Sequence, residues 1–259
     1  MTSSSAPIVK VPYKDEAFLA SEDARPLRII AEYLGPLRGF RDANVHDTIV
    51  FFGSARLQAA GPSGRYYDEA RKLAHLLTAW SMSLPSEAHR FVVCSGGGGG
   101  IMEAANRGAA EAGGRTIGLN ISLPHEQRPN PYITPELSFE FHYFFMRKLW
   151  FAQIAKALVV FPGGFGTLDE LMEILTLAQT GKLARRIPVI LYGAAYWREI
   201  INFEALVRHG MIAAEDLQLF EFCDDPDSAL KTLQARLAAG SGEATPAFAH
   251  SREDDDGSR

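Results

Sequence analysis

Short apolar runs alternate with longer amphipathic stretches through the middle of the chain. The runs at residues 48–52, 91–94, 116–119, 157–161 and 188–192 are rich in Val, Ile and Phe. They lack polar alternation and are flanked by Gly or Pro, which predicts strands buried on both faces. Residues 68–80 place Ala70, Leu73, Leu77 and Trp80 on one helical stripe. Residues 101–112, 144–156, 167–180 and 196–209 also read as helices, and an amphipathic helix over 25–39 precedes the first strand. Strands that alternate with helices build parallel βαβ units. The prediction is one α/β domain over residues 25–239, a doubly wound, mainly parallel sheet with helices on both faces. Residues 1–24 mix Ser, Pro and charge without periodicity and read as a mobile arm. Residues 240–259, with the run Asp254-Asp255-Asp256, read as a disordered acidic tail.

Composition narrows the classes of function. The chain has 259 residues, 47% of them hydrophobic and 22% charged, enough to bury a sizeable core. Its 26 basic and 31 acidic side chains give a net charge of −5, so a general binder of nucleic acid polymers is not expected. Two cysteines, Cys94 and Cys223, build neither a disulfide framework nor a zinc knuckle. The seven histidines show no metal-ligand spacing, and no metal is expected. No apolar run reaches membrane-spanning length and the N-terminus has no secretory pattern, so a cytoplasmic protein with no membrane partner is expected.

In a doubly wound sheet, ligands sit beyond the carboxyl ends of the strands, and two loops there are glycine-rich. Ser95-Gly96-Gly97-Gly98-Gly99-Gly100 follows the run at 91–94 and opens a helix. Its glycines allow close backbone approach, and a helix N-terminus favours an anion. It is not a dinucleotide fingerprint, because Ile101 or Met102 stands where the third glycine is required, and no Gly-Lys-Ser/Thr makes it a P-loop. It equally suits a tight structural turn. The second loop, Pro162-Gly163-Gly164-Phe165-Gly166-Thr167, follows the run at 157–161. Gly163, Gly164 and Gly166 can present N–H groups and Thr167 a hydroxyl, which is a phosphate cradle in physical terms. The Thr167/Glu170 spacing is also that of a capping box, a purely structural alternative. A third element, Met146-Arg147-Lys148, puts Arg147 on the helical face of Phe151 and Ile154, where an arginine needs an anionic partner.

These residues carry a family resemblance. Pro162-Gly163-Gly164-Phe165-Gly166-Thr167-Leu168-Asp169-Glu170 matches the PGGxGTxxE motif of the LONELY GUY (LOG) family, and Met146-Arg147-Lys148 matches its companion Arg-Lys element. Residues 95–109 resemble the TGGGPGIMEAANRGA stretch of longer bacterial members, with Ser95 for Thr and Gly99 for Pro. The likeness runs from about Phe51 to about Phe220. The resemblance implies a Rossmann-like fold and a phosphoribohydrolase that cleaves nucleoside 5′-monophosphates, such as AMP or cytokinin riboside 5′-monophosphates, to free base and ribose 5-phosphate. It implies Arg147 and Glu170 as the catalytic pair. Gly163, Gly164, Gly166, Thr167 and Lys148 follow as ligand-binding residues, and Glu126 resembles a family glutamate that contacts the nucleotide. Gly97 and Gly98 of the first loop are candidates for the same ligand. Asp169 stands where plant members usually have Glu, which shortens its reach. A homo-oligomer without a cofactor is implied. Members often carry a lysine decarboxylase label, which the sequence does not support, since no pyridoxal phosphate lysine motif is evident. The competing reading is a non-catalytic carrier of a nucleotide or phosphorylated cofactor.

Overall fold

The computed structural model describes residues 10–86, 88–123, 128–183 and 187–239. In chain order the elements are α1 (Glu16–Ala20), α2 (Arg25–Asp42), β1 (Thr48–Phe52), α3 (Gly64–Met82), β2 (Val92–Ser95), α4 (Ile101–Glu111), β3 (Thr116–Ile121) and β4 (Ser138–Phe141). There follow α5 (Phe144–Ile154), β5 (Ala155–Val160), α6 (Phe165–Gln179), β6 (Val189–Tyr192), α7 (Ala194–Ile200), α8 (Phe203–Arg208), β7 (Glu221–Cys223) and α9 (Pro226–Ala239).

The seven strands form one sheet in the order β4-β3-β2-β1-β5-β6-β7, and every pairing is parallel. The fold is therefore the Rossmann-like α/β class expected. Side chains leave β1 alternately on the two faces. Ile49 and Phe51 join a core with Tyr67, Leu73 and Leu77 of α3, Ile101 and Ala105 of α4 and Leu233 of α9. Val50 and Phe52 join the opposite core with Phe40 of α2, Trp150 and Phe151 of α5, Leu171 of α6 and Trp197 of α7. All five residues of β1 are buried, which explains its unbroken apolar run.

All five apolar runs are strands, but the sheet has two more. β4 and β7 are edge strands of four and three residues with interrupted burial. Short, partly polar edges resist further pairing, and they leave no continuous hydrophobic run to read. The helix expected over 196–209 is two helices. The first closes at Ile201, and Asn202 caps the second, its side chain accepting the Ala205 N–H at 2.9 Å. The helix expected over 144–156 stops at Ile154, because β5 starts at Ala155 with no intervening loop. α9 was not anticipated, although Ala229, Leu233 and Leu237 recur every fourth residue and Asp225 accepts the Ser228 N–H at 2.8 Å. Part of the segment read as an arm is helical: α1 is capped by Asp15, and Arg28 donates to the carbonyls of Leu19 and Ser21. The tail from residue 240 lies outside the described residues.

One contact ties the N-terminal helix to the site. The Glu32 carboxylate accepts the N–H groups of His142 and Tyr143 at 2.8 and 3.2 Å, immediately ahead of α5. Its carbonyl accepts the Trp150 indole N–H at 3.1 Å. A carboxylate at a helix N-terminus satisfies unpaired donors and complements the dipole. Glu32→Ala should lower stability by about 1 kcal/mol, read as a reduced urea midpoint at unchanged slope, and Glu32→Gln should lose less.

Candidate functional site

The strand order determines where a crevice opens. Chain connections run outward from β1 in one direction through β2, β3 and β4, and in the other through β5, β6 and β7. The loops after β1 and β5 therefore part at the carboxyl edge of the sheet. A cleft of about 890 Å³ lies there, lined by Gly53 to Leu57 after β1, Gly96 after β2, Arg147 of α5, and Pro162 to Glu170 after β5. Its size suits a small-molecule ligand.

Backbone hydrogen bonds knit the three loops. The Ser54 N–H donates to the Pro162 carbonyl at 3.0 Å, and the Ser54 carbonyl accepts the Ile101 N–H at 3.1 Å. The second contact needs Gly100, whose φ is +64° and whose added Cβ would collide with the Ser54 carbonyl. On the far wall the Tyr196 hydroxyl donates to the Gly163 carbonyl at 2.7 Å.

The cradle is the start of α6. Gly164 is the N-cap, and the first helical bond runs from the Leu168 N–H to the Gly164 carbonyl. The N–H groups of Phe165, Gly166 and Thr167 precede that bond and have no partner within the helix. A Cβ on Gly164 or Gly166 would meet nothing within 4 Å, so protein packing does not require glycine there. Glycine at these positions keeps the approach to the N–H groups open. Gly163 differs: a Cβ would strike the Thr167 side chain. The capping-box alternative does not hold, because α6 begins two residues before Thr167. Thr167 is the third helical residue and Glu170 stands in the second turn.

Arg147 and Glu170 face each other across the cleft floor. Arg147 Nε donates to the Leu119 carbonyl at 2.9 Å, and its guanidinium lies over the Phe151 ring, 5.3 Å from the centroid. A Cβ on Gly96 would collide with this guanidinium, so that glycine makes room for it. Burial pushes the Arg147 guanidinium below its ordinary pKa, while Glu170 and Cys94 pull the other way. Glu170 is 8% exposed. Burial raises its carboxyl to about 7, against the opposing pull of Arg147 and Lys148, with Glu173 and Asp169 adding to the rise. The site thus holds a carboxylate that ionises near neutrality, beside a cation and a helix N-terminus.

The other expected residues separate into groups. Gly163, Gly164, Gly166, Thr167 and Asp169 line the cleft with Arg147 and Glu170. Lys148 is not among the lining residues; its Nζ lies 2.8 Å from both Asp169 Oδ2 and Glu173 Oε2. Gly97 and Gly98 are buried behind the cleft. The Gly97 N–H donates to Ser95 Oγ, and the side-chain amide of Asn130 donates to both glycine carbonyls. Their loop is held by an internal network with Asn106, and Gly96 alone of the three reaches the cleft. Glu126 lies outside the described residues. Sequence reasoning missed the β1 loop with Ser54 and Arg56, and Tyr196. The first follows the strand at which the order reverses, which the local pattern does not reveal. The Arg56 side chain makes no ion pair among the described residues.

The family model described as "Possible lysine decarboxylase" matches residues 102–233. The chain is 30% identical over 178 residues to "Probable cytokinin riboside 5'-monophosphate phosphoribohydrolase LOGL3" of Oryza sativa subsp. japonica, covering 64% of this chain and 72% of that protein. The chain belongs to the LONELY GUY family. A second member from the same plant, "Probable cytokinin riboside 5'-monophosphate phosphoribohydrolase LOG4", is 28% identical over 57% of this chain. The match spans 64% of that relative, just under two thirds of its length. Among solved structures, the molybdenum cofactor binding protein from the phototrophic bacterium Rippkaea orientalis superposes with a TM-score of 0.50 at 19% identity. It covers 74% of this chain and 98% of that one, a likeness of fold. The decarboxylase wording finds no support in the LOG-family cleft. Pyridoxal phosphate is held through a lysine, and no lysine lines the cleft among the described residues.

The raised Glu170 carboxyl has a consequence for stability. A folded-state pKa near 7 against an ordinary 4.5 means that the folded chain holds the proton more tightly than the unfolded chain. The wild type should lose stability as pH rises from about 4.5 to about 7 and then level off. Glu170→Gln removes that loss and should be more stable than wild type at pH 8 by ~1–3 kcal/mol. The difference should shrink to near zero below pH 4.5. Urea unfolding of both proteins at pH 4.5 and pH 8 measures it.

Proposed function

We propose that the protein is a phosphoribohydrolase that cleaves the N-glycosidic bond of nucleoside 5′-monophosphates, AMP or cytokinin riboside 5′-monophosphates among them. One observation carries the reading: a desolvated carboxylate, Glu170, stands one helical turn below an open phosphate cradle and opposite a half-buried Arg147. A cradle by itself serves any phosphorylated ligand. A buried carboxylate close by is unfavourable for binding a dianion and useful for cleaving a glycoside.

In this mechanism the 5′-phosphate accepts from the free N–H groups of Phe165, Gly166 and Thr167 and from the Thr167 hydroxyl, with the α6 dipole behind them. Anchoring the phosphate places the ribose over Glu170. Departure of the base leaves oxocarbenium character on the sugar, which the Glu170 carboxylate stabilises. The same carboxylate orients the attacking water and takes its proton. Its pKa near 7 suits that role, because it is both substantially ionised and sufficiently basic at neutral pH. Arg147 keeps its charge even after desolvation and stabilises negative charge developing on the departing base, which takes up the proton that water gives to Glu170, directly or through solvent. The names of the plant relatives support this substrate class. A carrier of a phosphorylated cofactor, on the same fold, would bind nucleotide and leave it intact.

Among the described residues no helix is long and apolar enough to cross a membrane. The protein is read as a homo-oligomer, as the family resemblance implies, and as cytoplasmic, as its sequence pattern leads one to expect. Purified protein incubated with AMP, GMP, CMP, UMP and isopentenyladenosine 5′-monophosphate should release free base and ribose 5-phosphate from at least one of them, detected by chromatography. Glu170→Gln should lower kcat by ~100-fold or more, and kcat/KM of the wild type should rise with pH through about 7. Tight nucleotide binding with no base released from any substrate would establish the carrier instead.

A further inference from the structure

Lys148 has a different position from the one its motif implies. It follows Arg147 in the chain, yet it does not line the cleft. Its side chain is 17% exposed and crosses from α5 to α6, where Nζ meets Asp169 and Glu173 at 2.8 Å each. These two acids bracket Glu170, one residue before it and three after. On an α-helix, positions i and i+3 share a face, so Glu173 lies one turn along from Glu170. The α5–α6 interface therefore carries one lysine, three carboxylates and one arginine within two turns of helix.

We propose that Lys148 is a positioning residue, a clamp that joins α5 to α6 through Asp169 and Glu173 and so sets the relation between Arg147 and Glu170. The inference rests on the hydrolase reading only for its effect on turnover. Two physical consequences follow from the geometry. Each helix supplies one half of the Arg147–Glu170 pair, and the two ion pairs restrain the sliding of one helix against the other. The clamp also neutralises the two carboxylates nearest Glu170, which would otherwise oppose its ionisation. The charged groups that face Glu170 are Arg147 and Lys148 from α5 and Asp169 and Glu173 from its own helix. Arg56 lies across the cleft after β1, and Cys94 stands behind Arg147.

The clamp and a direct phosphate contact predict different results. The Glu170 carboxyl can be titrated by carbon NMR in protein labelled at glutamate, with Glu170→Gln identifying its resonance. This needs no turnover, so failure of the hydrolase reading leaves the test intact. Lys148→Met should raise the Glu170 midpoint by about one pH unit. Glu173→Gln alone should lower it, and the double variant Lys148→Met/Glu173→Gln should return toward wild type. Lys148→Arg, which keeps both ion pairs, should stay near wild type and covers the case in which Lys148→Met fails to fold. With AMP as substrate, Lys148→Met should lower kcat at pH 7 about five-fold, in step with the smaller ionised fraction, while KM changes little. An unmoved Glu170 midpoint in Lys148→Met, or a KM raised ten-fold at unchanged kcat, would overturn the clamp and make Lys148 a ligand contact.

Discussion

Everything at the site depends on the divergence of chain connections at β1. A parallel sheet wound outward in both directions from one strand must separate the loops at that strand's carboxyl end. The separation leaves backbone polar groups exposed, and here they are tied to one another rather than to solvent. Ser54 is the knot: its N–H holds the loop after β5 and its carbonyl holds the first residue of α4. Gly100 permits the second of these contacts and Gly163 lies against the first. The cleft is thus a rigid gap between three tethered loops, and α5 and α6 deliver their side chains into it from one side of the sheet.

The second constraint is electrostatic. Arg147 is partly and Glu170 almost wholly withdrawn from water, and burial moves each away from its charged form. Their mutual attraction offsets this only in part, so the Glu170 carboxyl settles near neutrality. A carboxylate used only for structure would gain from a direct ion pair, as Asp47 does: nearly fully buried, it accepts from Arg90 at 2.7 Å and from the Phe91 N–H at 2.6 Å. Glu170 has no such partner at hydrogen-bond distance among the described residues. The contrast between these two buried acids separates a carboxylate paired within the fold from one left unpaired at the cleft, which the proposed function assigns to a ligand.

The sequence made the centre of the sheet legible because burial on both faces forces long apolar runs. It hid β4 and β7 because edge strands are short and partly polar. Both halves of the cleft floor were flagged by their motifs, although each motif on its own also had a structural reading. Local spacing misled in two places. Thr167 and Glu170 have capping-box spacing, but the helix starts earlier because Gly164, without a side-chain cap, leaves its N-terminus open. Gly97 and Gly98 look like anion binders, yet both are buried behind the cleft, the Gly97 N–H donates to Ser95 Oγ, and their carbonyls are held by Asn130. That partner lies more than thirty residues away in sequence, and no local pattern could have named it. The loop after β1 was missed for a similar reason: its role comes from strand order, which local periodicity does not encode.

On the hydrolase reading proposed above, the question is what separates an enzyme that cleaves a phosphorylated ligand from a protein that only carries one. The cradle at the start of α6 cannot, because unpaired N–H groups and a helix dipole serve any phosphate. Nor can Arg147 alone, since a cation beside an anion is binding machinery. On the proposed reading, Glu170 is the discriminating group. A negative charge below a phosphate site opposes ligand binding, and its own desolvation opposes folding. Both costs are avoided by an amide or an apolar side chain, so a protein that only carried its ligand would gain from such a replacement. Retaining a carboxyl tuned to the middle of the pH range makes physical sense where a positive charge must be met as a bond breaks. Glu173 and Lys148 fit the same proposed logic, because they lie near enough to act on the ionisation of Glu170 without lining the cleft themselves.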